Sequence, residues 1–254
     1  MKNRTILILA VCALVALAPV LADHHEETPT LLSMSHDVTV QPGHETAFED
    51  ALKKHWALHK KAGDPQLWTT WVQVTGKHTG TYSIRSTFTG WAALDTETDV
   101  EGDMEDVLSN MMPHAKSNTT KITKWDLEIS NWPESIGTPN MVELTVFHLK
   151  PGTEQGFYHS LGKISEFLKE KEIDWQWAWG HGVSGHNGAT VVLAIPHENW
   201  ASFADDGINM WKMLEEAKGR MEADSLRDAL TSAIKWQENY AVMHRPDLSY
   251  VPAE

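Results

Sequence analysis

Between Leu32 and Val40 apolar side chains fall on alternate positions, at Leu32, Met34, Val38 and Val40, which is the period of a strand. Gln41-Pro42-Gly43 interrupts it. From His44 to about Ala62 the spacing changes to that of a helix, with Phe48, Ala51, Leu52, His55 and His59 on one stripe, and Gly63-Asp64-Pro65 stops it. Leu67–Thr75 and Thr81–Phe88 read as two strands joined through the loop Gly76-Lys77-His78-Thr79-Gly80. A loosely helical region runs from Trp91 to about Lys116, with an acidic interruption over Asp95–Asp106. Lys121–Asn131 is a fourth strand, on which Trp125, Leu127 and Ile129 alternate. Strand, helix, strand, strand, helix, strand is the order of a ferredoxin-like unit.

The pattern then recurs. At an offset of 109 residues, Pro42–Leu94 aligns with Pro151–Phe203 without a gap, and 13 of 53 positions are identical. A repeat of this length is a whole unit rather than a solenoid turn. The second set of strands is predicted at Val142–Leu149, Trp175–Val183, Ala189–Ile195 and Ala233–Met243, with helices over Thr153–Lys171 and Trp200 to about Leu230. Lys235-Trp236 echoes Lys124-Trp125 after a two-residue shift. The fold class is therefore α+β: a first repeat over 31–132, a linker at 133–140, a second repeat over 141–244 and a tail at 245–254.

The first 22 residues have a different character. Lys2 and Arg4 precede an apolar run from Ile6 to Leu17, and Val20-Leu21-Ala22 offers a small-residue cleavage site. This is the pattern of a signal peptide, too short to span a bilayer, and it predicts a periplasmic or secreted protein. The single cysteine, Cys12, lies within it, so a mature chain would have no disulfide or thiolate ligand. Without this leader 19 basic residues face 35 acidic ones, a balance that disfavours nucleic acid and anionic membrane as partners.

Few residues stand out as chemistry. His55 and His59, four apart on the first helix, can share a metal, and in the second copy they correspond to Ile164 and Leu168. Alternatively they are hydrogen-bonded at the helix edge, because the sequence points to no third ligand. Trp175, Trp177, Trp179 and His181 share one strand face. Facing the helices they are core; facing the other way they line an aromatic pocket, with Ala178, Gly180 and Gly182 leaving the opposite face open. Arg85 lies at a strand centre where the second copy has Ala194, and it needs a partner among His36, Asp37 and Glu143 or an anionic ligand. Cleavage after Ala22 would leave Asp23-His24-His25, a Cu(II)- or Ni(II)-binding terminus through His25, or simply a polar tail. There is no glycine-rich nucleotide loop, nucleophile elbow or paired-cysteine site.

Gln41-Pro42-Gly43-His44-Glu45 with Phe48 and Trp91, and Lys150-Pro151-Gly152-Thr153-Glu154 with Phe157 and Trp200, resemble the dimeric α+β barrel superfamily, which includes antibiotic-biosynthesis monooxygenases and NIPSNAP-type proteins. The resemblance implies two ferredoxin-like sheets facing each other in a pseudo-dimeric barrel, with a ligand between the sheets or between sheet and helices. Activities implied range from cofactor-free oxygenation to haem binding, so haem is a candidate cofactor beside the transition metal that His55 and His59, or His25, could hold. The expected function is an exported small-molecule-binding protein or cofactor-light oxygenase with an aromatic pocket. Candidate lining residues are His36, Trp71, Arg85, Glu143, Trp177, Trp179 and His181. The alternatives are a non-catalytic interaction module, or a haem- or metal-binding protein.

Overall fold

The computed structural model describes residues 30–95, 100–133, 137–204 and 207–253. The leader, Cys12 and His25 lie outside them. The strands are β1 (Leu31–Val40), β2 (Thr69–Gln73), β3 (Tyr82–Thr89), β4 (Ala115–Asn131), β5 (Met141–Leu149), β6 (Trp177–Ser184), β7 (Thr190–His197) and β8 (Ile234–His244). The helices are α1 (Glu45–Ala62), α2 (Ala92–Asp95), α3 (Asp103–Asp106), α4 (Glu154–Glu170), α5 (Met210–Lys218) and α6 (Arg220–Ala233). Among the described residues none is long and apolar enough to cross a membrane.

All eight strands form one closed, antiparallel barrel in the order β1-β3-β2-β8-β5-β7-β6-β4. Each half contributes four neighbouring strands in ferredoxin-like order, β4-β1-β3-β2 and β8-β5-β7-β6. Two seams join the halves: Trp71 lies opposite His244 between β2 and β8, and Thr123 opposite Gly182 between β4 and β6. Among the described residues, closure gives every strand a hydrogen-bonded neighbour on both sides.

Because strand side chains alternate, each strand has a helix-facing row and a barrel-facing row. On the helix side, Phe48, Leu52 and Trp56 of α1 pack on Val38, Val40, Tyr82 and Ile84. In the other half Phe157 and Leu161 of α4 pack on Leu149 and Val191, and Ile164 and Leu168 pack with Trp177, Leu214 and Leu226. Each such large side chain contributes roughly 1.5–3 kcal/mol by leaving water.

Three readings of the sequence need correction. β4 starts at Ala115, six residues before the expected Lys121, because Lys116–Thr120 is exposed and polar and carries no apolar period. It is a strand because it pairs with β1. The Lys-Trp echo does not mark equivalent positions: Ser117 lies opposite Thr39 while Trp236 lies opposite His148, an offset of 119 rather than 111. The extra length lies in the second half's connection, where α5 and α6 replace the short turns of the first. Finally, Trp177 and Trp179 sit in the helix-facing core, so they do not line a pocket between the halves. Their small neighbours leave no open space either. A side chain at Gly180 would meet Thr123 and Trp125, and one at Gly182 would meet the His186 ring.

Residues 245–250 fold back over the first half. Tyr250 exchanges backbone hydrogen bonds with Trp68, and the Trp56 Nε1–H donates to the Leu248 carbonyl at 2.7 Å. Arg245 donates to both oxygens of Glu49 at 2.8 and 3.0 Å, and Glu49 also accepts from the Tyr82 hydroxyl. The Arg245 guanidinium holds the Glu49 carboxyl below its ordinary range, with burial opposing and Tyr82 assisting. A carboxyl with a depressed folded pKa adds stability that is complete above its unfolded value and is lost as pH falls through the folded one. Arg245→Met is expected to lower unfolding free energy by about 1–3 kcal/mol at neutral pH. In urea melts that difference should shrink as Glu49 is protonated in acid.

Candidate metal centre

Helix α1 buries Phe48, Ala51, Leu52, His55, Trp56 and His59 along one stripe. Two imidazoles thus enter an otherwise apolar interface, each at most 7% exposed at the side chain. The helix ends at Gly63, whose left-handed backbone (φ 67°) suits a residue without a β-carbon. This turn brings Asp64 back under the last helical residues, with its N–H on the His59 carbonyl at 3.0 Å. The buried Asp64 carboxylate then accepts from His59 Nδ1 at 2.6 Å and from the Gln66 N–H at 2.9 Å. The Tyr250 hydroxyl donates to the Asp64 backbone carbonyl at 2.7 Å.

The other side comes from the acidic segment after β3. α3 presents Asp103 and Asp106 towards α1 and continues directly into a π-helical turn over Val107–Met111. Such turns are wider than an α-helix and recur at functional sites. Asp106 accepts from His55 Nδ1 at 3.0 Å and from Asn110 at 2.7 Å. Asp103 Oδ1 lies 3.1 Å from His59 Nε2 and 3.2 Å from His55 Nε2, and the two Nε2 atoms are 3.2 Å apart.

In neutral rings, the bonds to Asp106 and Asp64 put the proton on Nδ1. A carboxylate only accepts, so both Nδ1 atoms carry protons and both Nε2 atoms of the neutral rings present lone pairs. Two lone pairs and a carboxylate oxygen therefore converge on one point, an arrangement that needs a cation. A proton shared within the cluster is one such cation: burial and the His59 neighbour push His55 down, with Asp103 and Asp106 opposing, while Asp103 and Asp64 outweigh burial and lift His59. The His59 bond in turn holds Asp103 below the usual carboxylate range. A metal ion is the other.

Around this point stand Trp56, 5.1 Å from the His59 ring, Tyr250 at 5.7 Å and Trp68 at 6.3 Å. His36 approaches from the sheet below. Its ring centre is 6.0 Å from Trp68, its Nδ1 is 2.9 Å from the Thr120 hydroxyl, and it feels the charge of Asp103. The Asp103 side chain is 38% exposed, so the cluster opens to solvent on that side.

The remaining predicted residues are scattered. Arg85 faces the barrel interior, where Asp37 is the only one of its three expected partners; His36 and Glu143 face the helix side. Glu143 accepts from Asn239 at 2.9 Å and lies 3.6 Å from His197. Trp71 is buried inside the barrel, 5.0 Å from the His244 ring. His181 stacks edge-on against Tyr158 of α4 at 4.7 Å and lies 3.3 Å from Asp126. Asp64, Asp103 and Asp106 were not singled out from sequence. The acidic run around Asp103 was visible, but nothing in its spacing tied it to α1.

No protein-family model matches this chain, and no curated protein matches it in sequence. Solved structures do resemble it. An anthrone oxidase-like protein aligns over 90% of this chain and 95% of its own at 12% identity, with a TM-score of 0.54. A candidate monooxygenase from Fusobacterium nucleatum aligns over 85% and 92% at 14% identity (TM-score 0.53), and one from Lactobacillus acidophilus over 88% and 97% at 11% (TM-score 0.52). At such identities the likeness is one of fold. What this chain shares with them is the fold, the α+β barrel with ferredoxin-like strand order described above.

Asp64→Ala would leave two buried N–H donors without an acceptor, and is expected to cost about 2–4 kcal/mol of unfolding free energy. Tyr250→Phe, which removes only the hydroxyl bond to the same residue, should cost about 1 kcal/mol. Urea denaturation of the two variants at neutral pH checks the order.

Proposed function

We propose that this chain is an exported, small-molecule-handling protein of oxygenase type, built on a single divalent transition-metal ion held by His55, His59 and Asp103. The observation that carries the reading is the triangle of acceptors with edges of 3.1–3.2 Å, each imidazole oriented by its own carboxylate. Donors about 2.1 Å from an ion are about 3.0–3.4 Å from one another, so the triangle already has the size a metal requires. Carboxylates on the distal imidazole nitrogens are the usual outer shell of histidine-ligated metals.

Two histidines and one carboxylate on one side of an ion leave its other positions for water, oxygen or substrate. That ligand set is found in iron(II) oxygenases, and the monooxygenase and anthrone oxidase-like fold neighbours accord with it. The proposed small-molecule partner would reach the ion from the exposed Asp103 side, past His36. A haem fits these residues poorly. Trp56, Trp68 and Tyr250 fill the space adjoining both imidazoles. Export rests on the leader pattern of residues 1–22, and the tandem origin on the repeat in sequence.

Metal-stripped mature protein titrated with Co(II) should bind one equivalent and develop visible absorption from nitrogen and oxygen ligands. Fe(II) and Zn(II) should compete for the same site. The double variant His55→Ile with His59→Leu copies the second half's Ile164 and Leu168, and should remain folded yet bind none. Stoichiometric binding unaffected by the double substitution, or none by the parent protein, would end the proposal.

A further inference from the structure

The barrel interior is a second, separate polar site. Its first-half wall carries Ser33, Ser35, Asp37, Arg85 and Lys121, while the facing second-half wall carries Leu144, Val146 and Val192. Between them lies a cavity of about 100 Å³. The charges are unevenly matched. Asp37 accepts from Lys121 Nζ at 2.8 Å and from the Ser83 hydroxyl at 2.7 Å, which occupies it. Arg85 donates only Nε, to the Ser83 hydroxyl at 3.1 Å, and its terminal nitrogens have no protein acceptor among the described residues. Glu238, also at the cavity, is 38% exposed at the side chain and lies 3.9 Å from His148 Nε2.

Two further donors or acceptors point to a missing polar partner. His148 is buried, lines the cavity and has an Nε2 atom with no hydrogen bond. Tyr240 faces the same space without a protein partner for its hydroxyl among the described residues; burial pushes it up to about 12, so it retains its proton as a donor. A half-satisfied polar cluster away from water is costly unless a ligand or water completes it. A guanidinium fork with two free terminal nitrogens fits a carboxylate in bidentate fashion.

We propose that the barrel chamber binds a small monocarboxylate, with its oxygens on Arg85 and its short apolar part against Leu144, Val146 and Val192. The aliphatic wall favours an alkyl carboxylate over an inorganic oxyanion. The volume limits the ligand to a few heavy atoms, well below the several hundred Å³ of a drug-sized site. This site is independent of the metal centre, which lies on the other side of the sheet.

The test is an NMR titration of the ¹⁵N-labelled mature protein with sodium acetate, propionate and hexanoate, and with nitrate and phosphate as inorganic controls. Acetate and propionate should bind saturably and shift the amides of Ser35 and Val146, and hexanoate should be excluded. Arg85→Met should weaken binding about ten- to hundredfold. Arg85→Lys keeps the charge but loses the fork, and should weaken it about fivefold or more. The His55→Ile, His59→Leu variant should bind carboxylate as the parent does, so failure of the metal centre and failure of this site are distinguishable. No saturable carboxylate binding, binding of nitrate or phosphate alone, or unchanged affinity in either Arg85 variant would overturn the proposal.

Discussion

The two hydrogen-bonded seams, β2 with β8 and β4 with β6, are the constraint on which the rest of the molecule depends. They turn two open four-stranded sheets into one ring. Once the ring is closed, alternate strand residues face the barrel and the outer side, and adjacent residues are separated by the sheet itself. His36 and Asp37 are neighbours in sequence, yet one stands beneath the histidine cluster and the other lines the chamber. The protein therefore holds two polar clusters on opposite faces of the same sheet.

The halves divide the work unequally. Along the barrel wall, Ser35, Asp37 and Arg85 of the first half correspond to Leu144, Val146 and Ala194 of the second. Under the helices, His55 and His59 correspond to Ile164 and Leu168. Polar groups in such positions must be satisfied or they destabilise the fold. The second half, apolar at the same places, supplies packing that offsets this burden. The same architecture thus shows each site both with and without its chemistry.

Much of the architecture was legible because it is written in local periods. β1, α1, β3, β5 and α4 lie within a residue or two of where alternation and helical spacing put them. Alternation says which residues share a face, but not which face is inside. In a closed barrel with helices outside, both faces bury apolar side chains, so Trp177 and Trp179 carried the same signal as a pocket lining would. The faces were separable only through tertiary neighbours, since Trp125 of β4 and His186 of the β6–β7 loop take up the room left by Gly180 and Gly182. The histidine pair was visible from its four-residue spacing. Its carboxylates were not, because Asp103 and Asp106 reach α1 through a turn about fifty residues away and Asp64 through a helix cap.

The strap formed by residues 245–250 has a bearing on how the protein comes into being. Trp56 is tied to a carbonyl 192 positions later in the chain, and Asp64 to a hydroxyl 186 positions later. Contacts so distant in sequence form late, after the intervening polypeptide has been made and the ring has closed. A chain whose last residues are still unmade lacks both ties, and α1 is then held only by contacts within the first half. The packing around Trp56 and the Asp64 corner is therefore completed only when the last strand and the strap behind it are in place.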